Sequence, residues 1–364
     1  MSQLAADCGA LNLSQGFPDF DGPEALLERV RFHLGNRENQ YAPMMGVAAL
    51  RQAISRKVLD LYGLATDPDT EVTVTSGATE ALYCAIAAVV RPGDEVILFE
   101  PAYDSYEPVV TLHGGRVRRV ALTAPDYRVP WDTVGALINQ RTRLIITNSP
   151  HNPTGTIWRA EDLAQLSALQ RRSGCFVVAD EVYEHILFNG EQHESVCRYP
   201  ELYRSSFVVS SFGKTYHVTG WKIGYCVAPP ALTAEFRKLH QYVTFTSNTP
   251  VQLGLADFLR AHPEHHLQLG QFYERKRDRL LAALAGSRFR FQPADGTYFQ
   301  ALDYSAITHE DDCTWTERLT REAGIALIPL SPFYGDPSTA RMVRVCFAKD
   351  DATLDRAAEL LCQL

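Results

Sequence analysis

Short apolar runs alternate with helical patterns through the first two thirds of the chain. Glu71-Val-Thr-Val-Thr75, Glu95-Val-Ile-Leu-Phe99, Arg143-Leu-Ile-Ile-Thr147, Cys175-Phe-Val-Val-Ala179 and Ser206-Phe-Val-Val-Ser210 read as strands, with Gly115–Leu122 and Ile223–Ala228 as two more. Runs this short, β-branched and apolar suit a mainly parallel sheet buried on both faces. Ala78–Val90 and Arg159–Ser173 read as helices that cover it. After about residue 250 the pattern changes. Pro250–Arg260 and Gln268–Leu284 read as long helices. They are followed by strands at Tyr298–Leu302, Ile325–Pro329 and Met342–Phe347, and by helices at Cys313–Ala323 and Asp351–Leu361. The class is therefore α/β, a large mainly parallel-sheet domain over residues 35–255 plus a smaller α+β domain from 1–34 and 256–364. With no flexible linker between them, the two parts are expected to pack closely.

Composition narrows the function classes. The chain has 364 residues, enough for one large or two ordinary domains with ample core. The net charge is −8 and no block of like charge stands out, which argues against nucleic-acid binding. The longest apolar run, Ala81–Val90, is about half a membrane span. The first residues lack a basic region, and Asp7 interrupts the apolar stretch, so no secretory signal is expected. The eight cysteines include no C-x-x-C pair, and several lie in apolar segments. They read as reduced core thiols of a cytoplasmic protein without a metal. His262-Pro-Glu-His265-His266 lacks a zinc-like spacing and reads as a surface loop or helix start. The charged run Glu274–Asp278 reads as a solvated helix face.

Polar residues cluster where the strands end. Ser76-Gly77-Ala78-Thr79, Glu100-Pro-Ala-Tyr103-Asp, Asn148 to Gly155, Asp180-Glu-Val-Tyr183 and Ser211-Phe-Gly-Lys214 each follow a strand. In a parallel sheet those points share the carboxyl edge, where ligands bind. The Ser76–Thr79 turn offers a hydroxyl and free amides at a helix N-terminus, as an ordinary cap or an anion site. No G-x-G-x-x-G or P-loop pattern is present, so neither a dinucleotide nor a nucleoside triphosphate is indicated. Asp180 could be a helix cap, an ion-pair partner, or the holder of a protonated ring nitrogen. Lys214 could be a surface lysine, or a desolvated amine able to form a Schiff base. Together they suit pyridoxal 5′-phosphate (PLP), which needs its phosphate cradled, its pyridine nitrogen protonated and its aldehyde captured.

The segment Ser211-Phe-Gly-Lys-Thr-Tyr-His-Val-Thr-Gly-Trp-Lys-Ile-Gly224 resembles the PLP-lysine signature of class I/II aminotransferases, which have the fold-type I architecture. Similar segments run through nearly the whole chain in matching order. They are Asn12 to Asp19, Asn39-Gln-Tyr-Ala-Pro43, Ser76 to Leu82, Glu100-Pro-Ala-Tyr103-Asp104, Asn152-Pro-Thr-Gly155, Asp180 to Tyr183 and Val343-Arg-Val-Cys-Phe347. The runs Asn12–Pro23 and Ser210–Pro229 read much like the bacterial methionine aminotransferase branch, near the kynurenine and glutamine transaminase K enzymes.

The resemblance implies that Lys214 forms the Schiff base and that Asp180 pairs with the pyridine nitrogen. Tyr183 and Asn152 would bond the phenolic oxygen, and Gly77, Ala78, Thr79, Ser211 and Lys222 would hold the phosphate. Tyr103 would stack on the ring, and Tyr41 would reach the phosphate of the other subunit of a homodimer. Arg344 would grip the substrate α-carboxylate with help from Gly16 and Asn152. Phe17, Tyr41, Tyr103 and Phe245 would line an apolar side-chain pocket suited to methionine and aromatic amino acids. Two positions depart from the family pattern: Lys222 stands where many members have arginine, and Tyr103 where Phe or Trp is common. Relatives usually carry a longer arm ahead of the segment matching Leu11. The same constellation could serve a cysteine-conjugate β-lyase or a kynurenine aminotransferase. A PLP-sensing regulatory domain would need a DNA-binding module for which this chain shows no basic helix pattern.

Overall fold

A computed structural model describes residues 1–336 and 340–364. The strands are β1 (Leu11–Asn12), β2 (Val72–Thr75), β3 (Glu95–Glu100), β4 (Arg116–Ala121), β5 (Thr142–Asn148), β6 (Phe176–Asp180), β7 (Ser206–Ser211), β8 (Gly224–Val227), β9 (Phe299–Asp303), β10 (Ile325–Ala326), β11 (Ile328–Pro329) and β12 (Met342–Cys346). β2 to β8 form a seven-stranded sheet in the order β2-β8-β7-β6-β5-β3-β4. Neighbours are parallel except at β8, which runs antiparallel to both β2 and β7.

Alternation along each strand divides the interior into two cores, as a period of two residues requires. Val96, Leu98, Leu144, Ile146, Val178, Phe207 and Val209 meet the helices Gly77–Val89 and Pro230–Val243. Ile97, Phe99, Ile145, Val177, Ala179 and Val208 face the other way, toward Ala48–Tyr62, Ala160–Ser173 and Thr249–Ala261. Both faces are thus covered, which is why the strands are apolar throughout. A third core joins β9, β12 and the helices His265–Leu284 and Asp351–Cys362 to Leu13 and to the loop after β6. Here β11-β12-β9 is antiparallel, and β1 pairs in parallel with β10.

Several expectations change. The pattern predicts one strand over 325–329, but the chain divides at buried Leu327, because Ile325–Ala326 pairs with β1 and Ile328–Pro329 with β12. The charged run 274–278 is not simply a solvated face. Lys276 and Arg277 are buried, and they donate to the carbonyls of Lys349 (2.8 Å) and Ala294 (2.7 Å). Residues 1–34 are expected with the small unit, yet Leu26 and Val30 join the core beneath the large sheet. Their helix, Glu24–Gly35, packs on Thr249–Ala261. His265 and His266 open the helix His265–Leu284, but His266 is buried. Cys84, Cys175, Cys197, Cys226 and Cys346 are buried free thiols, whereas Cys8, Cys313 and Cys362 are exposed. Among the described residues, no helix is long and apolar enough to cross a membrane.

Gly224 sets the closest approach of the sheet to the helix that begins at Gly77. A Cβ there would lie 2.7 Å from Ser210 O and 2.9 Å from Ala78 N, both backbone atoms that cannot swing aside. Gly224→Ala is therefore expected to cost about 1–3 kcal/mol through overpacking. Thermal denaturation should show a lower midpoint than wild type, and an unchanged midpoint would contradict this close approach.

Candidate active site

The carboxyl edge of the large sheet opens into a cavity of about 540 Å³. Its wall includes Gly16, Phe17, Gly77, Ala78, Thr79, Tyr103, Asn152, Asp180, Tyr183, Ser211, Lys214, Lys222 and Arg344. These residues come from the strand ends of the large sheet and from the third core, which closes over them.

One end is built for an anion. β2 turns at Gly77, whose φ of 72° is the left-handed conformation that glycine adopts without penalty, and the helix Gly77–Val89 begins there. Its first-turn amides have no partner within the helix, and its dipole favours negative charge. Lys222 also adopts a left-handed backbone (φ 51°), and its Nζ lies 3.3 Å from Thr79 Oγ1. Ser211, the last residue of β7, also lines this end.

Lys214 stands in the middle. Its Nζ donates to Gly16 O at 3.1 Å and lies 5.7 Å from the ring centroids of both Tyr183 and Tyr298. Desolvation pushes the ammonium down to about 8, helped by the positive charges of Arg344 and Lys222. Asp180 ends β6 and is buried. Burial pushes its carboxyl up to about 6, while the Tyr106 hydroxyl (2.6 Å) and the Val182 amide (3.3 Å) donate to it and pull the other way. Tyr103 packs edge-on against Tyr106, with centroids 5.6 Å apart. Tyr183 packs edge-on against Tyr298 (5.2 Å) and Phe299 (5.8 Å).

Arg344 occupies the far end, buried, with its guanidinium 4.0 Å from the Phe299 ring centroid. It donates to Asn152 Oδ1 at 2.7 Å and to Ser14 O at 2.9 Å. Its Nε is buried without a partner. Leaving a charged donor unpaired is costly, and a carboxylate is the ligand that a guanidinium edge matches. Asn152 is itself oriented by a bond from its N–H to Asn148 Oδ1 at 2.8 Å. The Gly16–Phe17 segment is pinned by Tyr298 OH to Gly16 O (2.8 Å) and Lys349 Nζ to Phe17 O (2.9 Å).

Two expected pocket residues are not brought into this cavity. Tyr41 is 85% exposed and Phe245 39% exposed, and they meet each other edge-on at 5.5 Å on the outer surface. Phe245 follows the end of the helix Pro230–Val243 with φ 69°, which turns it away from the chain's own site. Conversely, Tyr106, Ser14, Asn148 and Phe333 belong to the site or its support without having been singled out. Tyr106 lies three positions after Tyr103 in the polar run following β3, so it was findable there. Ser14 acts through its carbonyl, for which a sequence carries no mark.

Residues 9–361 match the family model for class I and II aminotransferases. The chain is 55% identical to the methionine aminotransferase of Escherichia coli K12, covering 100% of this chain and 94% of that protein. It is 32% identical to the kynurenine–oxoglutarate transaminase of Dictyostelium discoideum, covering 100% of this chain and 92% of that protein. The crystal structure of YbdL from E. coli, a protein identified as having a methionine aminotransferase function, superposes with a TM-score of 0.98 at 55% identity, covering 100% of this chain and 96% of that one. A mainly parallel sheet whose carboxyl edge gathers a lysine, a carboxylate, an anion cradle and an arginine is the fold-type I arrangement. The chain belongs to the class I and II aminotransferase family, as the resemblance of its lysine segment implied.

Because its ammonium is destabilised, Lys214 should be a neutral nucleophile at lower pH than other lysines. Competitive labelling of the cofactor-free chain with acetic anhydride is expected to show Lys214 titrating near about 8. A titration above 10, as for solvated lysines, would contradict its desolvated setting.

Proposed function

We propose that this chain is a PLP-dependent aminotransferase that takes the amino group of methionine or of aromatic and apolar L-amino acids and passes it to a 2-oxo acid. The observation that carries this reading is that Lys214, whose ammonium is lowered to about 8 by burial, and the buried guanidinium of Arg344 line one cavity. The donor set fits PLP. Gly77, Ala78, Thr79, Ser211 and Lys222 would hold its phosphate, Asp180 its pyridine nitrogen, Tyr183 and Asn152 its phenolic oxygen, and Tyr103 its ring face. When bound, PLP supplies an aldehyde for the amine and a protonated ring that draws electron density from Cα.

The chain's own groups then divide the work. Arg344 and Asn152 fix the α-carboxylate of the amino acid, so that its Cα lies within reach of Lys214. Once the substrate's own amino group has displaced it, the Lys214 amine would take the Cα proton and hold it for return, a role that suits an amine poised near the operating pH. Asp180 would be kept ionised by a cationic ring nitrogen, since an opposite charge offsets the burial that otherwise raises it. Alternation between two substrates through one cavity predicts ping-pong kinetics.

Specificity follows from the wall beyond Arg344. Phe17, Tyr103, Ile328 and Phe333 are apolar or aromatic, and Asp104 is acidic. The cavity's basic residues are Lys214, Lys222 and Arg344, each already committed. An acidic side chain would find no further basic side chain among the described residues of the wall. The E. coli relative of 55% identity carries the name methionine aminotransferase, which supports the same choice. We also propose a cytoplasmic homodimer, in which exposed Tyr41, Tyr242, Val243 and Phe245 face a second copy and Tyr41 reaches the neighbouring phosphate site.

Single-turnover spectra of the PLP-loaded enzyme against individual amino acids test the reading. Methionine and phenylalanine should discharge the cofactor chromophore roughly tenfold or more faster than aspartate. A preference for aspartate would overturn the specificity, and release of pyruvate and ammonia would point to β-elimination instead. Arg344→Lys loses the planar fork and should lower kcat/KM by roughly ten- to a hundredfold. Wild-type kcat/KM in that variant would rule out the carboxylate grip.

A further inference from the structure

Two carboxylates of the β6 loop lie on the side away from the cavity. Glu181 accepts from the Val196 amide at 2.9 Å and lies 2.9 Å from His193 Nε2. Glu184 is more heavily engaged. Lys57 Nζ donates to it at 2.7 Å and Tyr225 OH at 3.0 Å, and the hydroxyls of Tyr62 and Ser210 donate as well. Lys57 also donates to Tyr225 OH at 2.6 Å. Lys57, Glu184, Ser210 and Tyr225 are all buried.

One partner of Glu184, Ser210, sits directly beside a cavity residue, Ser211. Ser210 pairs with Tyr225 across the β7–β8 ladder, and the next pair is Ser211 with Gly224. Alternation puts the first pair beneath the sheet and the second against the anion cradle. Ser211 leads directly to Lys214. Within the loop, Asp180 and Tyr183 line the cavity while Glu181 and Glu184 do not. Lys57 and Tyr62 come from one helix, Ala48–Tyr62.

We propose that Glu184, paired with Lys57, is a positioning unit that fixes Asp180, Tyr183 and Lys214 relative to one another from beneath the sheet edge. This rests on the PLP reading above. A buried ion pair adds little net stability over apolar residues of similar volume, but its bonds are directional. Burial opposes the Glu184 charge, yet Lys57 beside it holds the carboxyl well below the usual range. Burial and Lys57 keep the adjacent His185 neutral, and the Tyr62 and Tyr225 phenols are raised by burial and by Glu184. His266, whose ring lies 4.7 Å from that of His185, is also depressed by burial.

The test compares wild type with the double variant Lys57→Met/Glu184→Gln, which removes both charges together. Measured are kcat, KM for methionine, the pH midpoint of the bound PLP absorbance, and the thermal midpoint. Misplacing reacting groups by a fraction of an ångström should lower kcat roughly tenfold with KM within about twofold. Looser contacts from Asp180 and Tyr183 to the cofactor should move the absorbance midpoint alkaline by roughly half a unit or more. A double variant with wild-type kcat and absorbance midpoint, altered only in thermal stability, overturns the proposal. Should it not fold, Tyr225→Phe decides on the same criteria, with a roughly threefold fall in kcat expected and no change contradictory. A wild-type chain that binds no PLP overturns the cofactor reading and this proposal with it. PLP binding by wild type beside an unaffected variant overturns the positioning role alone.

Discussion

Three ionisable groups, Lys214 and Asp180 at the edge of the large sheet and Arg344 on β12, line one cavity without being paired to each other. Lys214 donates to a backbone carbonyl, Asp180 accepts from a phenol and an amide, and Arg344 binds an amide oxygen and a carbonyl. Each is left with unspent electrostatic capacity in a low-dielectric setting, where such capacity is worth most. A cation is brought down to about 8 and a carboxyl up to about 6 by the same cause. A sheet covered on one face could not achieve this. Two cores flank the strands, a third closes the open end, and the cavity lies where they meet.

Around these groups stands a second set of residues that touch the first rather than the cavity's contents. Tyr106 serves Asp180 and props Tyr103, Asn148 serves Asn152, Lys349 pins the Phe17 segment, and Glu184 anchors the β6 loop from below. The strand alternation that divides the core also divides these labours. Successive residues of one strand end face the cavity and its foundation, as Ser211 and Ser210 do.

What could be read from the sequence follows the range of the interactions. Strands buried on both faces announce themselves as apolar runs, so β3, β5, β6 and β7 were legible, and so were the polar clusters at their ends. The helices Glu24–Gly35, Ala48–Tyr62 and Pro230–Val243 were not, because their buried faces include charged or polar residues such as His33, Arg51, Lys57 and His240. Lys57 meets Glu184 across 127 positions, and no local pattern records that. The charged run at 274–278 misled for the same reason, since Lys276 and Arg277 find carbonyls on distant segments. Tyr41 and Phe245 point outward, and no local pattern tells an exposed aromatic side chain from one that lines a pocket.

The proposed chemistry requires the amine of Lys214 to capture the aldehyde of PLP. Incubation of the chain with PLP, reduction with borohydride and peptide mass mapping test it directly. The account predicts one stoichiometric reduced pyridoxyl-phosphate adduct, on Lys214. Labelling spread over surface lysines, or an adduct on Lys222 with Lys214 unmodified, would contradict it.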